Sequence, residues 1–201
     1  MTIRAHKDKN AIDAKMAMLG LPHIMPLTEL ARRIRKKHPH TPFFDPKNGG
    51  VDAHILFLLE APGPQAINFV SQENNDPTAE NLYHLINKAG LSRNDIVLWN
   101  IVPFYIGAEN LTKIQAANKT HLEAGKPWLI KLLGLLPKLK VVVLLGRKAQ
   151  RACKLIQTLR PDLCVLKGWH PSCRAIGKNQ SNKRWQELLT KFQDAKRCGR
   201  S

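Results

Sequence analysis

The sequence predicts an α/β protein built on a parallel sheet, preceded by a helical N-terminal extension. Three observations predict it. Four short apolar runs, at 53–59, 95–100, 140–145 and 163–167, alternate with helical segments. The third run is almost pure Val and Leu, as a strand covered on both faces requires. Strands that alternate with helices join into a parallel sheet through right-handed crossovers. At 201 residues and 43% hydrophobic composition, the chain has enough apolar material for one core. We read it as a single domain over 1–201, with a helical, basic extension over 1–50 and an α/β core over 51–196.

The extension reads as two helices, at 10–19 and 27–37. The second opens after Pro26 with Thr28 near its cap, and ends in the cluster Arg32-Arg33-Ile34-Arg35-Lys36-Lys37. Pro39, Pro42, Pro46 and Gly49-Gly50 make the next stretch an irregular connection. Then come the strand Ala53–Leu59, a helix Thr78–Ala89 capped by Thr78 and closed by Gly90, and the strand Asp95–Asn100. Helices follow at 111–124 and 127–136, broken before Pro127. Strand Lys140–Leu145, helix Arg147–Leu159, strand Leu163–Lys167 and helix Gln180–Lys196 complete the core.

A net charge of +17 exceeds what solubility needs and points to a polyanionic partner, most simply nucleic acid. No basic helix carries the strong apolar face that a membrane surface would require, and no run reaches transmembrane length. Residues 1–20 are interrupted by Arg4, Lys7, Asp8, Lys9 and Asp13, so they do not read as a signal peptide. These features predict a soluble, cytoplasmic protein that acts as a monomer on DNA. Cys153, Cys164, Cys173 and Cys198 lack the paired spacing of a metal centre, so neither metal nor cofactor is expected.

Polar residues cluster where three strands end. Glu60 follows the first, and Pro62 and Gly63 turn the chain sharply after it. It suits either a carboxylate that bonds loop amides or one that faces a positive transition state. Asn100 ends the second strand; it suits a turn, or an amide that reads a nucleobase edge through one donor and one acceptor. His170-Pro171-Ser172 follows the last strand. Ligands of open α/β sheets bind at this edge, so Glu60, Asn100 and His170 together mark a candidate active site. Phe69, in the loop after Gly63, offers a ring on which a base can stack. Gly146, Arg147 and Lys148 start a helix that can receive a phosphate, while Ser172, Lys167 and Arg174 can contact the DNA backbone.

The same segments resemble the uracil-DNA glycosylase superfamily. Leu59-Glu60-Ala61-Pro62-Gly63 resembles its Gly-Glu-Ala-Pro-Gly motif, and Leu98-Trp99-Asn100 the strand with its base-reading Asn. Leu144-Leu145-Gly146-Arg147-Lys148 and Trp169-His170-Pro171-Ser172 are similar to its two later motifs, in the same order. The resemblance implies a three-layer α/β/α sandwich around a four-stranded sheet, and hydrolysis of the N-glycosidic bond of deoxyuridine in DNA. An alternative is a DNA-binding protein that traps uracil or abasic sites without turnover. The resemblance assigns His170 to transition-state stabilisation, Asn100 to base recognition and Phe69 to stacking, with Ala61, Pro62 and Gly63 lining the substrate site and Glu60 at its catalytic edge. Ala61 stands where the best-known branch has a water-activating Asp. The cysteine pair of the iron–sulfur branch has no counterpart in the N-terminal region, since the first cysteine is Cys153.

Overall fold

The computed structural model describes residues 4–108, 111 and 115–200. The extension forms α1 (Lys9–Ala17), capped by the Asp8 carboxylate, and α2 (Met25–Arg35). Thr28 does not cap α2, which starts earlier. It is buried one turn inside, where its hydroxyl donates to the Leu19 carbonyl at 2.9 Å. The Pro-rich connection is less irregular than its composition suggests. It contains the short strand β1 (Phe43–Phe44), which pairs in parallel with β3 (Phe69–Val70).

The central sheet consists of β2 (Ile55–Leu59), β4 (Ile96–Asn100), β5 (Val141–Leu145) and β6 (Cys164–Gly168), all parallel, in the order β4-β2-β5-β6. Every residue of β2, β4 and β5 is buried, which explains their unbroken apolar sequences. Successive side chains of a strand point to opposite faces. Phe57, on one face, stacks on Phe192 of α7 (Lys183–Arg200). Trp99 pairs in register with Leu58 on the other face, and stacks on Phe44 at 3.6 Å. Helices therefore cover both faces, α7 with α3 (Pro77–Lys88) on one and α2 with α4 (Lys119–Gly134) on the other. The result is the three-layer α/β/α sandwich. Among the described residues, no helix is long and apolar enough to cross a membrane.

Three boundaries differ from expectation. Asp76, not Thr78, caps α3 by accepting from Thr78 and Ala79 N–H groups. Residues 119–134 form one helix through Pro127, which lies on the exposed side. The buried stripe Leu122, Gly125, Leu129, Leu132 and Leu133 runs past the proline, so burial outweighs the lost hydrogen bond. The earlier part of the predicted 111–124 helix is not helical where it is described, and 112–114 lie outside the described residues. After β5, the chain makes a 3₁₀ turn over Ala149–Ala152 before α5 (Cys153–Leu159), so no α-helix starts at Arg147.

The extension is anchored to the core by a buried charge cluster. Lys15, fully buried on α1, reaches Asp45 at 2.7 Å and Glu73 at 2.5 Å. Arg93 joins the same two carboxylates at 2.6 and 2.5 Å. Burial alone would raise the Asp45 pKa, but Arg93, Lys15 and the Ser71 hydroxyl hold it at about 2.

Candidate active site

Leu59 sits opposite Asn100 in register, and Leu145 opposite Gly168. The segments after these residues therefore share the carboxyl edge of the sheet. The ladder continues beyond the strands, with Ile101 N–H donating to the Leu59 carbonyl at 2.8 Å and Val102 N–H to that of Glu60 at 3.0 Å. Helix α4 presses against this turn through Gly125, where a Cβ would fall 2.1 Å from the Ile101 oxygen.

His170 is half-buried. Its Nδ1 accepts the Ser172 backbone N–H at 3.2 Å, which leaves the proton of the neutral ring on Nε2. Burial lowers its pKa below the ordinary histidine value, against the opposing charges of Glu60 and Asp76. The tripeptide is held from α3, where buried Asn81 donates to the Pro171 carbonyl at 2.8 Å. From the other side, Gln150 donates to the Gly168 carbonyl at 3.0 Å. Sequence reasoning missed Asn81 and Gln150, since their role depends on contacts between distant segments.

The Glu60 carboxylate accepts the Ala117 N–H at 2.7 Å, and so ties the connection between β4 and α4 to the end of β2. One oxygen of Glu60 therefore bonds a loop amide. Asn100 is buried to 4% exposure at the end of β4. Among the described residues, no hydrogen bond joins its side-chain amide to another group. Ala61 and Gly63 are partly exposed along the turn, and Pro62 is buried.

Several residues predicted to hold substrate or phosphate lie elsewhere or are engaged. Phe69 belongs to β3, not to a loop, and is fully buried, with the Lys15 ammonium 5.6 Å from its ring centre and His6 tilted against it. Its ring offers no open face for a base in this conformation. Gly146 N–H donates to the Gly168 carbonyl at 2.9 Å, and the Lys148 ammonium donates to the Ala117 carbonyl. Both bonds stitch the sheet edge together; the Gly146 N–H is taken by its bond, while the Lys148 ammonium keeps two further donors. Arg147, Lys167 and Arg174 are exposed, while Ser172 starts α6 (Cys173–Ile176) with its hydroxyl not engaged in capping. Among the described residues, no group of three His, Cys, Asp or Glu side chains is arranged to hold a metal, and no disulfide joins the four cysteines.

Comparison with known proteins identifies the fold and the family. The solved structure of SMUG2 from Pedobacter heparinus shares the fold, with a TM-score of 0.51 at 14% identity over 88% of this chain and 85% of that one. A uracil DNA glycosylase candidate from Methanosarcina acetivorans, solved by NMR, matches at 17% identity over 72% of this chain and 92% of its own, with a TM-score of 0.43. Among curated proteins none matches. The family model of the uracil DNA glycosylase superfamily matches residues 46–192, from the loop before β2 into α7, and includes Glu60, Asn100 and His170. With most of its length matched, this chain belongs to the uracil DNA glycosylase superfamily.

Proposed function

We propose that this protein hydrolyses the N-glycosidic bond of deoxyuridine in DNA, releasing uracil and leaving an abasic site. One observation carries the reading: the Ser172 N–H bonded to His170 Nδ1, which fixes a neutral ring with an Nε2–H donor. As the bond from C1′ to uracil N1 breaks, its electron pair passes to the base and spreads onto O2. A donor aimed at O2 strengthens as that charge develops, and more so in a half-buried site than in water.

Asn100 supplies recognition. Its amide can accept from uracil N3–H and donate to O4, whereas cytosine presents the opposite pair. A base can reach this recessed edge only by leaving the duplex stack, or from a single strand. The sugar left behind is a cation. The Glu60 carboxylate stabilises it, and the oxygen not bonded to Ala117 can orient the attacking water. Water oxygen bonds to C1′, and one water proton is released. Ala61 brings no base to this step, and a cationic sugar needs little help from one. We assign the phosphate contacts around the site to Arg147, Lys167, Ser172 and Arg174, of which the three cations are exposed.

The test is release of uracil from single- and double-stranded oligonucleotides, read as strand scission after alkali. Scission by the native protein, lost in folded His170→Ala and Asn100→Ala variants, is the expected result. No scission at any salt concentration would overturn the reading. Full activity in either variant would remove that residue's role.

A further inference from the structure

We infer that Trp169 is a stacking platform for a nucleobase next to the reacting one, and that it favours single-stranded over duplex DNA. The inference rests on the proposed reading that DNA lies across this edge of the sheet. Five large apolar side chains are clearly exposed among the described residues, and Trp169, at 40%, is the one aromatic among them. The neighbour of His170 is thus a tryptophan left in water, which needs an explanation that core packing does not provide.

The ring is fixed before any ligand arrives. Its Nε1–H donates to the Glu187 carboxylate at 2.8 Å. The Arg184 guanidinium stacks 4.6 Å from the ring centre, and itself donates to the Ala175 carbonyl at 3.3 Å. Arg184 thus supports an aromatic surface. A rigid exposed indole costs little further ordering when it binds.

The surroundings select the occupant. Arg174, Lys167 and Arg184 are exposed nearby along the chain, and the protein carries +17, so a polyanionic strand is drawn to this edge. Glu187, bonded to the ring, opposes a phosphate at the indole itself. Phosphates therefore meet the flanking cations, and a base meets the ring. Trp169 directly precedes His170 in the chain, so the indole is attached at the same sheet edge as the imidazole. A paired flanking base must leave its stack to reach the indole, which costs energy in a duplex and little in a single strand.

Binding of uracil-free DNA tests this independently of catalysis. Native protein, Trp169→Ala and Trp169→Phe are titrated with a single-stranded oligonucleotide and with a strand of the same length whose sugars carry no bases. The alanine variant is expected to lose about 5- to 150-fold in affinity for the base-bearing strand. Its affinity for the baseless strand and its salt dependence should stay as they are, and phenylalanine should retain most of the binding. Equal affinity of native protein and alanine variant for the base-bearing strand would overturn the inference. So would equal losses on both strands. These outcomes can be read whether or not the protein releases uracil, so failure of the glycosylase reading leaves a distinct result.

Discussion

Gly146 leaves just enough room for His170. A Cβ on Gly146 would fall 2.9 Å from the His170 Cβ, and the Gly146 backbone has φ +91°, a conformation that side chains rarely adopt. The end of β5 and the loop after β6 are thus fitted to each other, with the His170 Cβ against the space a side chain at position 146 would need. The Gly146 N–H to Gly168 carbonyl bond closes the same junction.

Gly146→Ala is therefore expected to move His170 rather than merely to loosen the fold. The positive φ costs about 1–2 kcal/mol, and the added Cβ pushes on the His170 Cβ and so on the side chain it carries. A displacement of this kind lowers the rate by about 10²-fold, mainly in kcat, with substrate affinity less affected. Thermal unfolding and single-turnover kinetics on a uracil oligonucleotide measure the two effects separately. A stable variant of native kcat would show that His170 tolerates the shift.

The pH dependence of activity follows from the state of His170. Burial lowers its pKa below the ordinary value of about 6.5. Protonation would place a hydrogen on Nδ1, where the Ser172 N–H already points, and would break that bond. The neutral donor is thus the working form. Activity is expected to hold from neutral pH down past about 6.5, then to fall as pH drops through the lowered pKa. His170→Asn should lose about 10²- to 10³-fold in rate together with this acid limb. A limb at or above the ordinary histidine pKa, or one unchanged in the variant, would contradict the assignment.

The sheet was legible because each of its strands is buried on both faces or ends in a distinctive polar residue. Val141–Leu145 can hardly be anything else, and Glu60, Asn100 and His170 are conspicuous after apolar runs. Legibility failed where a residue's meaning depends on a distant partner. Lys15 looks like a solvated helix cation, yet it is fully buried between Asp45 and Glu73. Gly146-Arg147-Lys148 looks like a phosphate cradle, but Gly168 and Ala117 occupy two of its donors. Phe69 looks like a loop aromatic, because a two-residue strand such as β3 leaves no periodic trace. Pro127 misled in a different way: a proline on the exposed side of a helix leaves the buried stripe intact.

The charge cluster that anchors the extension sets the last expectation. Two cations, Lys15 and Arg93, face two carboxylates, Asp45 and Glu73, in an interior where an unpaired charge is expensive. Lys15→Met leaves the carboxylates in excess and should destabilise the protein by about 3–5 kcal/mol. Acid should act on the same groups. Asp45 has a native pKa of about 2 against an ordinary 3.8, so its stabilisation is complete above the ordinary value and is lost as pH falls towards the native one. That contribution is about 2 kcal/mol. His6 and His170 have lowered pKa values, so the unfolded chain takes up their protons first. Stability should therefore begin to fall below about pH 6.5, before Asp45 is reached. Urea unfolding across this range measures both phases. In Lys15→Met the carboxylate phase should start at higher pH, because Asp45 has lost one of the cations that hold its pKa down. An unchanged carboxylate phase in that variant would show that Arg93 and Ser71 sustain the Asp45 carboxylate without Lys15.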